Sequence, residues 1–200
     1  MMLYQRNGNI INTKEFMVKL RKSLNIMGAI CLATAIGATS LMASAAETAP
    51  AANTQTQTIS LLDGKQTFKL QGYEKQPVPG GGPGTMYVNK QEKRVLIIGE
   101  EEIPLIARGG SDADFLEGGK SIKDKQKQAS PSYTVISEKT ENTNGLPVYH
   151  IEATDKMGGN DVQQATLLAV ANKKFTVIQV ISNHKDKAGH LKAVNNILGK

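Results

Sequence analysis

Few residues of this chain could carry chemistry. Its 200 residues include three histidines, one cysteine and no tryptophan. His150 alternates with Glu152 and Thr154 on the polar side of an extended segment, while Tyr149, Ile151 and Ala153 take the other side. A His–Glu pair can pass protons in general acid–base catalysis. An isolated pair on a polar strand face is ordinarily solvated, so no catalytic role is assigned to it. His184 and His190 stand six residues apart, about 600° of helical rotation, so they do not share a face as an i, i+4 metal-binding pair does.

The glycine run Gly80-Gly81-Gly82-Pro83-Gly84-Thr85 lacks the Lys-Ser/Thr that a phosphate-binding loop needs. Pro83 also removes one N–H, and a strand rather than a helix follows, so the run is expected to be a plain loop. Glu100-Glu101-Glu102 could suit a hard cation, but consecutive strand residues point to opposite faces, which predicts a solvated strand end. Lys120, Lys123, Lys125 and Lys127 are interrupted by Asp124 and have no interleaved aromatics. They are expected on a solvated helix face rather than against anionic lipid. No serine lies in a Gly-x-Ser-x-Gly elbow. The expectation is a protein with no enzymatic activity and no catalytic, cofactor-binding or metal-binding residues.

The net charge of +6 does not mark a nucleic-acid binder. Arg6, Lys14, Lys19, Arg21 and Lys22 stand against Glu15 alone in residues 1–46, and the remainder is nearly balanced. Residues 17–46 have the parts of a secretory signal: a basic start at Lys19, Arg21 and Lys22, an uncharged apolar stretch from Ile26 to Met42, and small residues Ala43-Ser44-Ala45-Ala46. Cleavage before Ala46 or Glu47 would deliver a periplasmic protein without cysteine. Cys31 lies within the apolar stretch behind the branched Ile30, where lipoprotein processing wants a small residue, so anchoring through Cys31 is the less favoured fate. Residues 1–16 form a dispensable upstream extension.

Residues 47–57 are rich in Ala, Thr, Gln and Pro and read as a flexible tether. Residues 58–200 form one domain. The Asp63-Gly64 turn predicts a hairpin ending in Phe68 and Leu70. Met86–Val88 and Arg94–Ile98 read as strands, the second apolar at successive positions and therefore covered on both faces. Ser111 and Asp114 predict the start of a helix. Four strands follow, near Tyr133–Lys139, Val148–Thr154, Val162–Ala171 and Phe175–Ile181. Lys185–Leu198 closes the chain as an amphipathic helix with Ala188, Leu191, Val194 and Leu198 near one side. The core is predicted to contain Phe68, Leu96, Ile98, Leu168, Val170, Val177 and Val180. Doubly covered strands with helices to cover them define an α+β fold, an antiparallel sheet sandwiched by helices.

The run from Ser60 to Lys65 leading to Phe68-Lys69-Leu70, then Met86-Tyr87-Val88 and Arg94 through Glu100, resembles the DcrB family of Gram-negative cell-envelope proteins. Val177-Ile178-Gln179-Val180 and the closing Ile197-Leu198 fit the same plan, and the likeness spans roughly residues 58–198. The resemblance implies the Mog1p/PsbP-like α/β sandwich. It also implies an envelope protein, usually an inner-membrane lipoprotein facing the periplasm, implicated in phage DNA entry and envelope integrity. It brings no catalytic residues and no cofactor. The expected partner is another protein of the envelope, with peripheral membrane association as a further expectation. A chaperone-like module that shelters apolar segments of a client is the alternative, and it would require a contiguous apolar groove.

Overall fold

The computed structural model describes residues 55–105 and 108–200. The extension 1–16, the signal segment 17–46 with Cys31, and most of the 47–57 tether lie outside the described residues. The chain begins with a hairpin, β1 (Thr56–Leu61) and β2 (Gln66–Gln71), followed by β3 (Glu74–Pro77), β4 (Thr85–Asn89) and β5 (Arg94–Glu102). Two short helices come next, α1 (Asp112–Gly119) and α2 (Ile122–Ala129). The second half is a meander of β6 (Thr134–Thr143), β7 (Leu146–Met157), β8 (Asn160–Ala171) and β9 (Lys174–Asn183), closed by α3 (Lys187–Leu198).

Seven strands form one antiparallel sheet in the order β3-β4-β5-β9-β8-β7-β6, and β1–β2 form a separate two-stranded sheet. Local sequence explains the meander. Asn144-Gly145, Gly158-Gly159 and Asn172-Lys173 each adopt positive φ at both positions. That is the two-residue turn whose twist matches the flanking strands. The sheet is covered on both faces. Leu96, Ile98, Leu167, Ile178 and Val180 pack toward Phe68 and Leu70 of the hairpin and Val194, Ile197 and Leu198 of α3. Ile97, Leu168, Val170, Phe175 and Val177 pack toward Phe115 and Leu116 of α1 and Ile122 of α2. Each fully buried aliphatic side chain contributes about 1.5–3 kcal/mol relative to exposure. All seven predicted core residues are buried, and the expected antiparallel α+β sandwich is the observed fold.

Four expectations need correction. One cover of the sheet is shared between a helix and a β-hairpin, because the Asp63-Gly64 turn folds β1 and β2 back with Phe68 and Leu70 aimed at the sheet. Pairing of Thr56 with Gln71 draws the last two residues of the expected tether into β1. The single helix predicted after Ser111 is two. Ser111 and Asp114 do form the reciprocal capping box, but α1 ends at Gly119 and Ser121 turns the chain into α2, its hydroxyl donating to the Gly118 carbonyl at 3.1 Å. Finally, Leu191 of α3 is 57% exposed, and the sheet-facing stripe is His190, Val194, Ile197 and Leu198.

Candidate functional site

Positions 148, 150 and 152 of β7 point to the α3 side of the sheet, where Val148 belongs to the core. The alternation read from sequence therefore holds, but the polar side is not solvated: His150 is 6% exposed. α3 roofs it, and the two histidines meet one carboxylate. His150 Nε2 lies 2.6 Å from Glu152 Oε1, and His190 Nε2 lies 3.1 Å from Glu152 Oε2. Each ring continues the chain of contacts. His150 Nδ1 is 2.8 Å from Glu141 Oε1 on β6. His190 Nδ1 is 2.9 Å from Ser182 Oγ on β9.

Ser182 sits directly across from Arg94 in the β5–β9 register, and Arg94 Nε donates to its Oγ at 3.1 Å. The guanidinium is held further by Asp186, whose Oδ2 accepts from Nη2 at 2.7 Å, and by the Glu92 carboxylate on Nη1. Asp186 is also the N-cap of α3, accepting from Gly189 N at 3.0 Å. Gly189 is the residue that permits this close approach. A Cβ there would stand 2.4 Å from Arg94 Nη2 and 2.3 Å from Asp186 Oδ2. At the other end Glu141 pairs with Lys139 at 3.4 Å and with Lys200. An unbroken polar chain thus runs from β6 to β5 beneath α3.

Ser182, His190 and Glu152 follow the hydrogen-bond order of a nucleophile, base and orienting carboxylate. The surroundings withhold that chemistry. Ser182 is 1% exposed and His190 4%, so no substrate carbonyl can approach within the roughly 3–3.5 Å that attack requires. The serine oxygen is also already occupied by the Arg94 N–H. What the arrangement does is fasten α3 to the sheet.

Glu152 and Glu141 are held ionised. Burial works against the charge on Glu152, but the hydrogen bonds and charges of His150 and His190 outweigh it and bring its pKa from the ordinary 4.5 to about 2. For Glu141, burial is likewise overcome by Lys200, His150 and Lys139, again giving about 2. A carboxyl whose folded value lies below its unfolded value stabilises fully above the unfolded pKa and loses that contribution as pH falls toward the folded one. Stability is therefore expected to decline from about pH 4.5 toward pH 2. Urea midpoints measured across that window should fall steeply in the wild type and more gently in Glu141→Gln/Glu152→Gln.

The remaining candidates are dispersed. His184 is exposed in the turn before α3. The glycine run contains a 3-10 turn at Pro79–Gly81. Gly84, at φ +95°, lies so close to β5 that a Cβ would stand 2.5 Å from the Ile98 carbonyl oxygen. Glu100 and Glu102 are exposed, as expected of a strand end. Glu100 accepts from the Leu62 N–H at 2.5 Å, and Glu102 pairs with Arg108 at 2.6 Å. The lysine run is less solvated than expected. Lys120 pairs with Glu117 and lies over the Tyr149 ring, Lys123 pairs with Glu138, and Lys127 donates to the Tyr133 carbonyl at 2.7 Å. Among the described residues, no set of three or more His, Cys, Asp or Glu side chains is arranged to hold a metal ion.

Sequence reasoning passed over Arg94, Glu141, Ser182 and Asp186. Arg94 did carry a signal: it shares the parity of Leu96 and Ile98 on a doubly covered strand, and a cation there must be paired.

Solved structures share this architecture. CyanoP, the cyanobacterial PsbP of Synechocystis sp. PCC 6803, matches with a TM-score of 0.53 and 14% identity, over 77% of this chain and 95% of its own. LpqN of Mycobacterium tuberculosis, involved there in cell envelope biogenesis, matches with a TM-score of 0.44 and 11% identity, over 73% and 88%. The first of these likenesses gives the chain a PsbP-like fold. No protein-family model matches the chain, and no curated protein sequence does.

Proposed function

We propose that this chain is a non-enzymatic binding or scaffold protein of the cell envelope, a member of the DcrB family, exported by its 17–46 segment and acting on envelope protein partners. The observation that carries the reading is the burial of Ser182, His150 and His190 between the sheet and α3, joined by Glu152: the groups capable of acid–base work serve to hold the fold. What the surface offers instead is a sheet edge. Among the described residues β6 pairs only with β7, and Thr134 through Thr140 are all exposed. Val135 and Ile136 are adjacent apolar side chains there. A long edge of this kind can accept an added strand from a partner. The opposite edge, β3, has four residues and ends in Pro77, which blunts it.

The chaperone-like alternative needs a contiguous apolar groove. The large exposed apolar residues among those described are Leu105, Val135, Ile136 and Leu191, spread over three parts of the chain, which favours the scaffold reading.

The reading is tested by complementation and capture in a strain lacking the protein. Ser182→Ala should complement as wild type does wherever it remains folded, since it removes only internal hydrogen bonds, those to Arg94 and His190. Ile136→Asp, at an exposed site, should keep its stability yet lose capture of envelope partners. Failure of a folded, normally abundant Ser182→Ala to complement would favour an enzyme instead.

A further inference from the structure

Between the open end of the β1–β2 hairpin, the β4–β5 turn and α3 lies a cleft of about 580 Å³, within the roughly 300–1,000 Å³ range of small-molecule sites. Leu70 gives it an apolar wall, and Tyr73 and Arg94 line it deeper in. The Arg94 side chain is only 4% exposed, and it is fixed. Ser182 and Asp186 hold Nε and Nη2 from behind, and Tyr73 hydrogen-bonds to the same side chain.

Nη1 is different. Its partner is Glu92, a turn residue whose side chain is 49% exposed. Asp186, by contrast, is built into the cap of α3. Lys69 and Lys192 also line the cleft. Both are exposed, and neither has an ion-pair partner among the described residues. Lys69, Lys192 and Arg94 therefore line one cleft. Asp186 neutralises the guanidinium from behind, and Glu92, the carboxylate among the lining residues, is the more easily displaced of Arg94's two acidic partners. A guanidinium matches phosphate oxygens with its planar fork, and ammonium groups supply point charges beside it. With Asp186 retained, replacing Glu92 by a phosphate of about two negative charges balances the three cations.

We propose that this cleft binds a phosphate-bearing ligand whose phosphate replaces Glu92 on Arg94 and is held between Lys69 and Lys192. The rest of the ligand lies along Leu70 and Tyr73. The inference stands independently of the edge-strand reading, since it uses the opposite end of the sheet.

The purified protein is to be titrated at fixed ionic strength with inorganic phosphate. In a separate arm it is titrated with phosphatidylcholine vesicles with and without phosphatidylglycerol. Calorimetry and the backbone amide shifts of residues 69, 92 and 192 are the readouts. Saturable binding is expected, weakened at least tenfold in Lys69→Gln/Lys192→Gln and tightened at least threefold in Glu92→Gln. Both variants should melt cooperatively. Response to free phosphate identifies a soluble phosphate compound as the source. Response to phosphatidylglycerol vesicles alone, with the same dependence on the lysines, identifies a lipid headgroup. The proposal is overturned by no saturable binding in either arm, or by binding indifferent to both variants.

Discussion

Glu152→Ala should lower the unfolding free energy by about 3 kcal/mol, because removing one member of a buried ionic cluster strands its partners. The Glu152 carboxylate touches both His150 and His190 through their Nε2 atoms. Without it, both Nε2 atoms lose the carboxylate that joins them, and α3 loses a tie to β7. Glu152→Gln keeps the shape and one acceptor, so its cost should be smaller, about 1–3 kcal/mol. Urea denaturation at pH 7 checks both. A pair of midpoints indistinguishable from wild type would show that water replaces the carboxylate without penalty and that the chain of contacts does not fasten the helix.

Leu96→Ala carries an effect of similar or greater size, about 2–5 kcal/mol, the transfer loss plus the cavity left behind. Leu96 has no exposed surface, lies opposite Val180 and Tyr87 on its two neighbouring strands, and belongs to the core shared by sheet, hairpin and α3. The contrast is Leu191→Ala. The unbroken apolar run of β5 places Leu96 in the core, and helical periodicity places Leu191 on the apolar side of the closing helix. Yet Leu191 is 57% exposed, and its truncation should change stability by no more than about 0.5 kcal/mol. Thermal unfolding of the two variants side by side separates them.

The meander was legible because its turns are two-residue loops of Asn and Gly types, and the apolar runs of β5, β8 and β9 announce strands covered twice. β3 was not legible: Glu74-Lys75-Gln76-Pro77 has no apolar alternation, and it is a strand only because β4 offers it a partner. The single helix expected after Ser111 divided at Ser121, a break that composition does not announce. The site was half legible. Period-two alternation placed His150 and Glu152 on one side, but whether that side meets water depends on α3, more than thirty residues later in the chain. The helix itself misled for a related reason. Apolar periodicity favours Leu191 over its neighbour, and only Glu152 and Ser182, which meet its two ring nitrogens, make His190 the better occupant of the buried stripe.

The position of β9 in the sheet sets the order in which the molecule can come into being. Arg94 and Ser182, paired across β5 and β9, are separated by 88 residues, and β9 is the last strand to be synthesised. Until it arrives, β5 and β8 each end in an open edge and neither core exists in its centre. A chain emerging from its N-terminus is thereby kept from completing the domain early. The pairings between β3, β4 and β5 are shallow without their neighbour, and commitment waits for the final stretch of polypeptide. Contacts of such sequence separation slow folding. Under the export proposed above, late insertion of the central strand would keep the chain unfolded until it has crossed the membrane.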